Sequence, residues 1–227
     1  MKAYILNLTL LFSFLSGMAQ RACVISFQPL FGERKLLLSN TFYHLSTADS
    51  MQIEALKFYV SDITFSKRGV VVYKEEKSVH LVDAANEKSL HLSMNIPAVH
   101  SPDQLNFNIG LDSVTNVSGA LGGDLDPTQG MYWTWQSGYI NFKLEGKSKR
   151  CKTRNNEFQF HLGGYLTPFQ TVQQVSLNIN SSNQINVSID IEKFLSLLDL
   201  TEINQVMTPG VESVVHSRKL PNLFSVQ

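Results

Sequence analysis

The residues best equipped for chemistry lie between Gly122 and Gly146, in the run GGDLDPTQGMYWTWQSGYINFKLEG. It holds two carboxylates (Asp124, Asp126), a methionine (Met131) and both tryptophans of the chain, Trp133 and Trp135. In an extended backbone indoles two residues apart share one face, so they form a surface or the wall of a pocket. Asp124 and Asp126 sit ahead of Pro127, and paired carboxylates at a tight turn are hard oxygen ligands of the kind Ca2+ takes. The same pair can instead cap the turn by accepting backbone N–H groups, and the regular spacing of an EF-hand loop is absent. Met131 and Met207 carry soft thioethers suited to Cu(I). Methionine is also ordinary core filler.

His161 lies in Phe160-His161-Leu162-Gly163-Gly164, on the opposite face from Phe160 and Leu162. A strand histidine followed by glycines lets another backbone come close, which suits a metal ligand; the bland alternative is a hydrogen-bonded or solvent-facing imidazole. The other histidines are His44, His80, His91, His100 and His216, and no two stand at a tight metal-binding spacing. His44, beside Tyr43 and ahead of the first long strand, is the next candidate ligand. The chain shows no G-x-S-x-G elbow, no H-E-x-x-H, no C-x-x-C-H haem attachment and no phosphate-cradling glycine loop. It is therefore expected not to be an enzyme.

The elements that must hold these residues read as strands. Leu56, Phe58 and Val60 alternate with Lys57, Tyr59 and Ser61; Phe158, Phe160 and Leu162 with Gln159 and His161; Ile185, Val187, Ile189 and Ile191 with polar neighbours. Helical signal is thin. Asp190 or Glu192 opens a short helix through Lys193–Asp199, another turn fits Thr201–Met207, and Pro209-Gly210 ends anything begun there. The expectation is an all-β, β-sandwich-like single domain with long irregular loops and one or two short helices.

Residues 1–19, with Lys2, an apolar run and Gly17-Met18-Ala19, read as a signal peptide, leaving 20–227 as one exported domain, periplasmic or on the cell surface. No further apolar run reaches spanning length, so no membrane span is expected. Subtracting Lys2 from 19 basic residues leaves 18 against 19 acidic, a net charge of −1. That balance argues against nucleic acid or an anionic membrane as partner. In an oxidising compartment Cys23 and Cys151 most simply form a disulfide, a thiolate metal ligand being the alternative.

The segments LKFYVSDITF (Leu56–Phe65), HLVDA (His80–Ala84), the run Phe107–Gly146, FHLGGY (Phe160–Tyr165) and VMTPG (Val206–Gly210) together resemble the MbnP-like family. These are exported partner proteins of a methanobactin copper-acquisition system, and the style is that of a Bacteroidetes-type member. The resemblance implies a β-sandwich-like domain, copper as cofactor, and a diheme cytochrome c peroxidase-like partner. It further implies a site of histidines and a tryptophan oxidised to kynurenine, with His161 at a ligand position and Trp133 as that tryptophan. In relatives a histidine follows the modified tryptophan by two residues; here Trp135 stands in its place. The metal-site candidates are thus His161, Trp133, Met131, Trp135 and His44. A metal-free cell-surface interaction or carbohydrate-binding sandwich, using the aromatic pair as its platform, is the alternative function.

Overall fold

The computed structural model describes residues 20–45, 50–98, 101–135, 138–180 and 183–227; the expected signal segment and His100 lie outside them. The alternating segments are all strands. In chain order these are β1 (Gln20–Phe31), β2 (Arg34–Lys35), β3 (Tyr43–His44), β4 (Ser50–Lys67), β5 (Val70–Lys74), β6 (Val79–Asp83), β7 (His91–Pro97) and β8 (Gln104–Ile109). There follow β9 (Tyr132–Trp133), β10 (Gly138–Ser148), β11 (Glu157–Gly163), β12 (Gln173–Asn178), β13 (Gln184–Asp190), β14 (Gln205–Val206) and β15 (Phe224–Val226). Three short helices, α1 (Ser113–Val117), α2 (Ile191–Leu195) and α3 (Val211–Ser217), lie among them.

The strands form two sheets. The smaller runs β15-β13-β1-β2, with β7 also on β1; the larger runs β12-β8-β4-β10-β11-β14, with β3, β5 and β6 on β4 and β9 on β10. Register decides what each face carries. In the small sheet Ile25 pairs with Ile185 and Phe27 with Val187, so the apolar set of both strands faces one way. That face meets the large sheet: the Phe27 ring packs edge-on against Phe58 at 5.8 Å and Phe107 at 5.9 Å, and Phe224 against Phe58 at 5.7 Å. Burying large side chains contributes roughly 2–3 kcal/mol each, and these rings form the centre of a sandwich core. The all-β sandwich expected from the sequence is the fold observed.

Three local expectations change. Asp190 does cap α2, accepting the Glu192 N–H, but the helix ends at Leu195 rather than Asp199. The turn expected over 201–207 is confined to its start, where the Ile203 N–H donates to Asp199 O at 2.8 Å; Gln205 and Val206 instead extend the large sheet as β14, in parallel beside Gln159 and Phe160. After Pro209, Gly210 starts a helix rather than ending one. The anticipated disulfide is also absent. Cys23, on β1 of the small sheet, and Cys151, in the turn after β10 of the large one, are both buried and not joined. Burial pushes the Cys23 thiol up to about 11, against a small opposing effect of Arg21.

Candidate functional site

The Gly122–Trp133 segment folds back over the outer face of the large sheet and builds a second, smaller core there. Tyr59, Leu81, Leu111, Met131, Trp133, Tyr139 and Ile140 form it, apart from the main sandwich interior. Outward-facing Tyr59 is fully buried because this cap covers it. Its Oη donates to Asp124 O at 3.0 Å, and burial raises its pKa. Tyr139 Oη accepts the Leu121 N–H at 3.1 Å and lies 3.0 and 3.1 Å from the carbonyls of Leu125 and Gly119. Two lysines fasten the cap from below: Lys57 Nζ donates to Gln129 O at 3.1 Å and Lys143 Nζ to Gly130 O at 3.2 Å.

The two aspartates serve this architecture. Asp124 Oδ2 accepts the Leu81 N–H at 3.0 Å, satisfying a backbone donor of β6. Asp126 Oδ1 accepts from the Thr128 hydroxyl at 2.7 Å and its N–H at 2.8 Å, which hold its carboxyl below the usual range. They act here as turn and strand caps. Met131 is fully buried in the small core, packed as a hydrocarbon would be, whereas Met207 is exposed and follows Val206, the β14 residue paired with Phe160, so it stands next to the row of His161.

Trp133 lies flat against the backbone at Gly163. A Cβ built on Gly163 would fall 2.7 Å from Trp133 Cζ3 and 2.6 Å from Tyr139 O. Glycine is required there by close approach. Trp133 is only 6% exposed and its Nε1 is sealed from solvent without a hydrogen-bond acceptor. Trp135 differs sharply: it is 62% exposed, with its ring centroid 6.0 Å from that of Trp133. The two indoles do share one side, as their spacing predicts, but one is core and the other surface.

His161 occupies the same outer face of β11 as Gly163, opposite Lys143 of β10. Its Nε2 meets Glu145 Oε1 at 2.6 Å. That hydrogen bond, helped by Lys143 at 3.2 Å, holds the Glu145 carboxyl below its usual range against the effect of burial. With Glu145 ionised, Nε2 is the donor in this bond, and in the neutral imidazole that puts the lone pair on Nδ1. Carboxylate orientation of one ring nitrogen is the usual arrangement behind a metal-ligating histidine. Among the described residues Nδ1 itself has no partner, and it is not one of the sealed nitrogens. On the far side of Gly163, Ser213 of α3 accepts the Gly163 N–H and donates to its carbonyl, both at 3.0 Å. Trp133 and α3 therefore clamp the same peptide.

The structure thus sets Trp133 against Gly163, two residues from His161 on the same face of β11, with Trp135 beside Trp133 and Glu145 on His161. His44 is not with them. It pairs with Ser50, seven residues along β4 from the Lys57 row that leads to His161, roughly 20 Å away by strand rise. His80 is held by Glu75 at 2.8 Å, and His91 by Ser26 at 3.0 Å. Among the described residues no three His, Cys, Asp or Glu side chains converge on one point.

The family model described as MbnP matches residues 20–209. The chain belongs to the MbnP family. The solved structure of MbnP from Methylosinus trichosporium superposes with a TM-score of 0.64 at 12% identity, covering 85% of this chain and 83% of that one. At such identity the likeness shows a shared MbnP fold. No curated protein matches the sequence. The match bears out the family read from the central motif, and its span covers the strands and cap that hold Trp133 and His161.

Proposed function

We propose that this MbnP-family chain is an exported binding protein that handles copper at His161, in partnership with a diheme peroxidase-type protein that reaches the site through the Trp133–Trp135 pair. The observation that carries the reading is the His161–Glu145 hydrogen bond at 2.6 Å beside the indole pair. It leaves one oriented nitrogen, Nδ1, directed by a carboxylate at the other ring position.

The donor set fits half a copper site. His161 supplies one soft-to-borderline nitrogen, Glu145 fixes its tautomer, and Met131 is committed to the small core. A second donor has to come from elsewhere, and modification of Trp133 in place is the route the family resemblance offers. Bound copper would supply redox and ligand-exchange chemistry. The chain's own groups orient the imidazole, exclude water through the buried Trp133 ring, and offer Trp135 as the exposed contact. Equilibrium dialysis of the chain against copper tests this. One equivalent retained by the wild type and lost in His161→Ala is the expected result; equal retention by both forms contradicts it.

One observation favours a second reading. Trp135 is a large exposed aromatic beside a rigid wall, as in metal-free platforms for a partner protein or a sugar ring. On that reading Trp135→Ala abolishes ligand capture while His161→Ala leaves it intact.

A further inference from the structure

The near-zero net charge conceals a local imbalance, which a reading of overall balance passes over. Five of the chain's 19 Lys and Arg residues fall in the eight-residue run KSKRCKTR, Lys147 to Arg154. This run covers the last two residues of β10 and most of the turn towards β11, at the end of the sandwich remote from Trp133. Ten residues of β10 separate the two ends, roughly 30 Å. Lys147 pairs with Glu54 at 2.7 Å and Arg150 with Asp199 at 2.9 Å. Asp199 also feels Lys152. Among the described residues Lys149 and Arg154 have no carboxylate partner, and Lys149, Lys152 and Arg154 are all exposed.

A second loop reaches the same end. Tyr43 pairs with Met51, and Met51 with Ser148, so β3 lies two strand spacings from the basic turn, about 10 Å. Tyr43 carries Arg34 over its ring at 5.1 Å, and its Oη accepts the Leu37 N–H. Arg34 and Lys35 are exposed, with Glu33 the carboxylate beside them. On this loop two large apolar side chains also face solvent, Leu37 at 53% and Phe42 at 59%. Cations alone would suit any polyanion. Cations around an exposed Phe and Leu suit a lipid surface, where the apolar side chains enter the headgroup boundary and the cations meet phosphates.

We infer that this end of the sandwich, with Arg34, Leu37, Phe42, Lys149, Lys152 and Arg154, is a peripheral docking site for an anionic phospholipid surface. Docked this way, the molecule holds its Trp133 end roughly 30 Å from the bilayer, with His161 part-way along the strand. The inference is independent of copper, since none of its residues touches His161, which pairs with Lys143 four residues along β10 from Lys147, roughly 13 Å away.

The test is co-sedimentation of the chain with vesicles of phosphatidylcholine, with and without phosphatidylglycerol, across a salt series. The wild type is expected to bind only the phosphatidylglycerol vesicles and to be released by salt. Each cation at such a surface changes partitioning about fivefold, ~1 kcal/mol. The triple variant K149Q/K152Q/R154Q should therefore bind on the order of a hundredfold more weakly. Phe42→Ser should weaken binding while keeping its salt dependence. Unchanged circular dichroism and melting of both variants establish that the fold is intact. Equal binding of wild type and triple variant overturns the inference, as does equal binding to both vesicle types. So does retention on a double-stranded oligonucleotide without any on the vesicles.

Discussion

Gly163→Ala probes the packing on which the site depends. The new Cβ would meet Tyr139 O at 2.6 Å and Trp133 Cζ3 and Cη2 at 2.7 and 2.9 Å, where ordinary carbon contacts lie near 3.5–4 Å. Neither neighbour can yield cheaply. Tyr139 O belongs to the strand paired with β11 at Ile140–Gly163, and the Trp133 ring is held inside the small core. Ser213 also holds Gly163 in place by bonding both its N–H and its C=O. The cost should sit at the upper end of overpacking, about 3 kcal/mol. For a domain of this size that lowers Tm by roughly 6–12 °C. Gly122→Ala is the control, because a Cβ there meets nothing within 4 Å and its backbone is extended; it should stay within about 0.5 kcal/mol of wild type. Thermal melts followed by circular dichroism give the stabilities. Tryptophan emission should red-shift for Gly163→Ala alone, as Trp133 is displaced towards water. Wild-type stability and emission in Gly163→Ala would refute the packing argument.

Tyr139→Phe removes the hydroxyl shared by Leu121, Gly119 and Leu125 and should cost about 1–3 kcal/mol in urea unfolding by stranding their polar groups; a loss too small to resolve would mean the cap is held otherwise. His216 is buried against Phe160 and Phe194, its Nε2 unbonded with Glu212 3.4 Å off, and burial with nearby Lys219 pushes its pKa below the ordinary 6.5. Below pH 6.5 the unfolded chain takes up a proton that native His216 resists, so stability falls from there down to the depressed native value; His216→Gln should flatten that slope, and an unchanged slope contradicts the assignment. Glu145 works in a separate window: its native pKa is depressed, so its contribution is full above its ordinary 4.5 and is lost as pH falls through the native value. Cys23 and Cys151, buried and unbridged, should resist a thiol reagent until denaturant is added, and reductant should leave Tm unchanged; a reductant-sensitive Tm would restore the disulfide.

Period-two patterning made β4, β10, β11 and β13 legible, because a strand with one buried face writes that face into its own sequence. The same rule placed His161 opposite Phe160 and Leu162. What it could not supply is contact across the fold. Trp133 on Gly163, His161 on Glu145 and Ser213 on Gly163 join residues 16 to 50 positions apart, and register alone brings them together. Glu145 was hidden for that reason, although its place beside Lys143 on the polar face was readable. Helix α1 escaped because Val114 and Val117 are exposed, leaving no apolar periodicity, and only Asp112 capping Thr115 marks it. Helix α3 escaped because Pro209-Gly210 signals a stop as readily as a start. The split between a buried Trp133 and an exposed Trp135 has a physical reason: β9 ends at Trp133, so the second indole leaves the packed cap for solvent.

The chain's two tryptophans both sit at the proposed site, so their fluorescence is a local reporter of what happens at His161. Copper titrated into the wild-type chain should quench this emission to saturation at one equivalent. Under the same conditions His161→Ala should show no saturable quenching, while Trp135→Phe should retain it with reduced amplitude. Identical quenching curves for wild type and His161→Ala would contradict a copper site at His161.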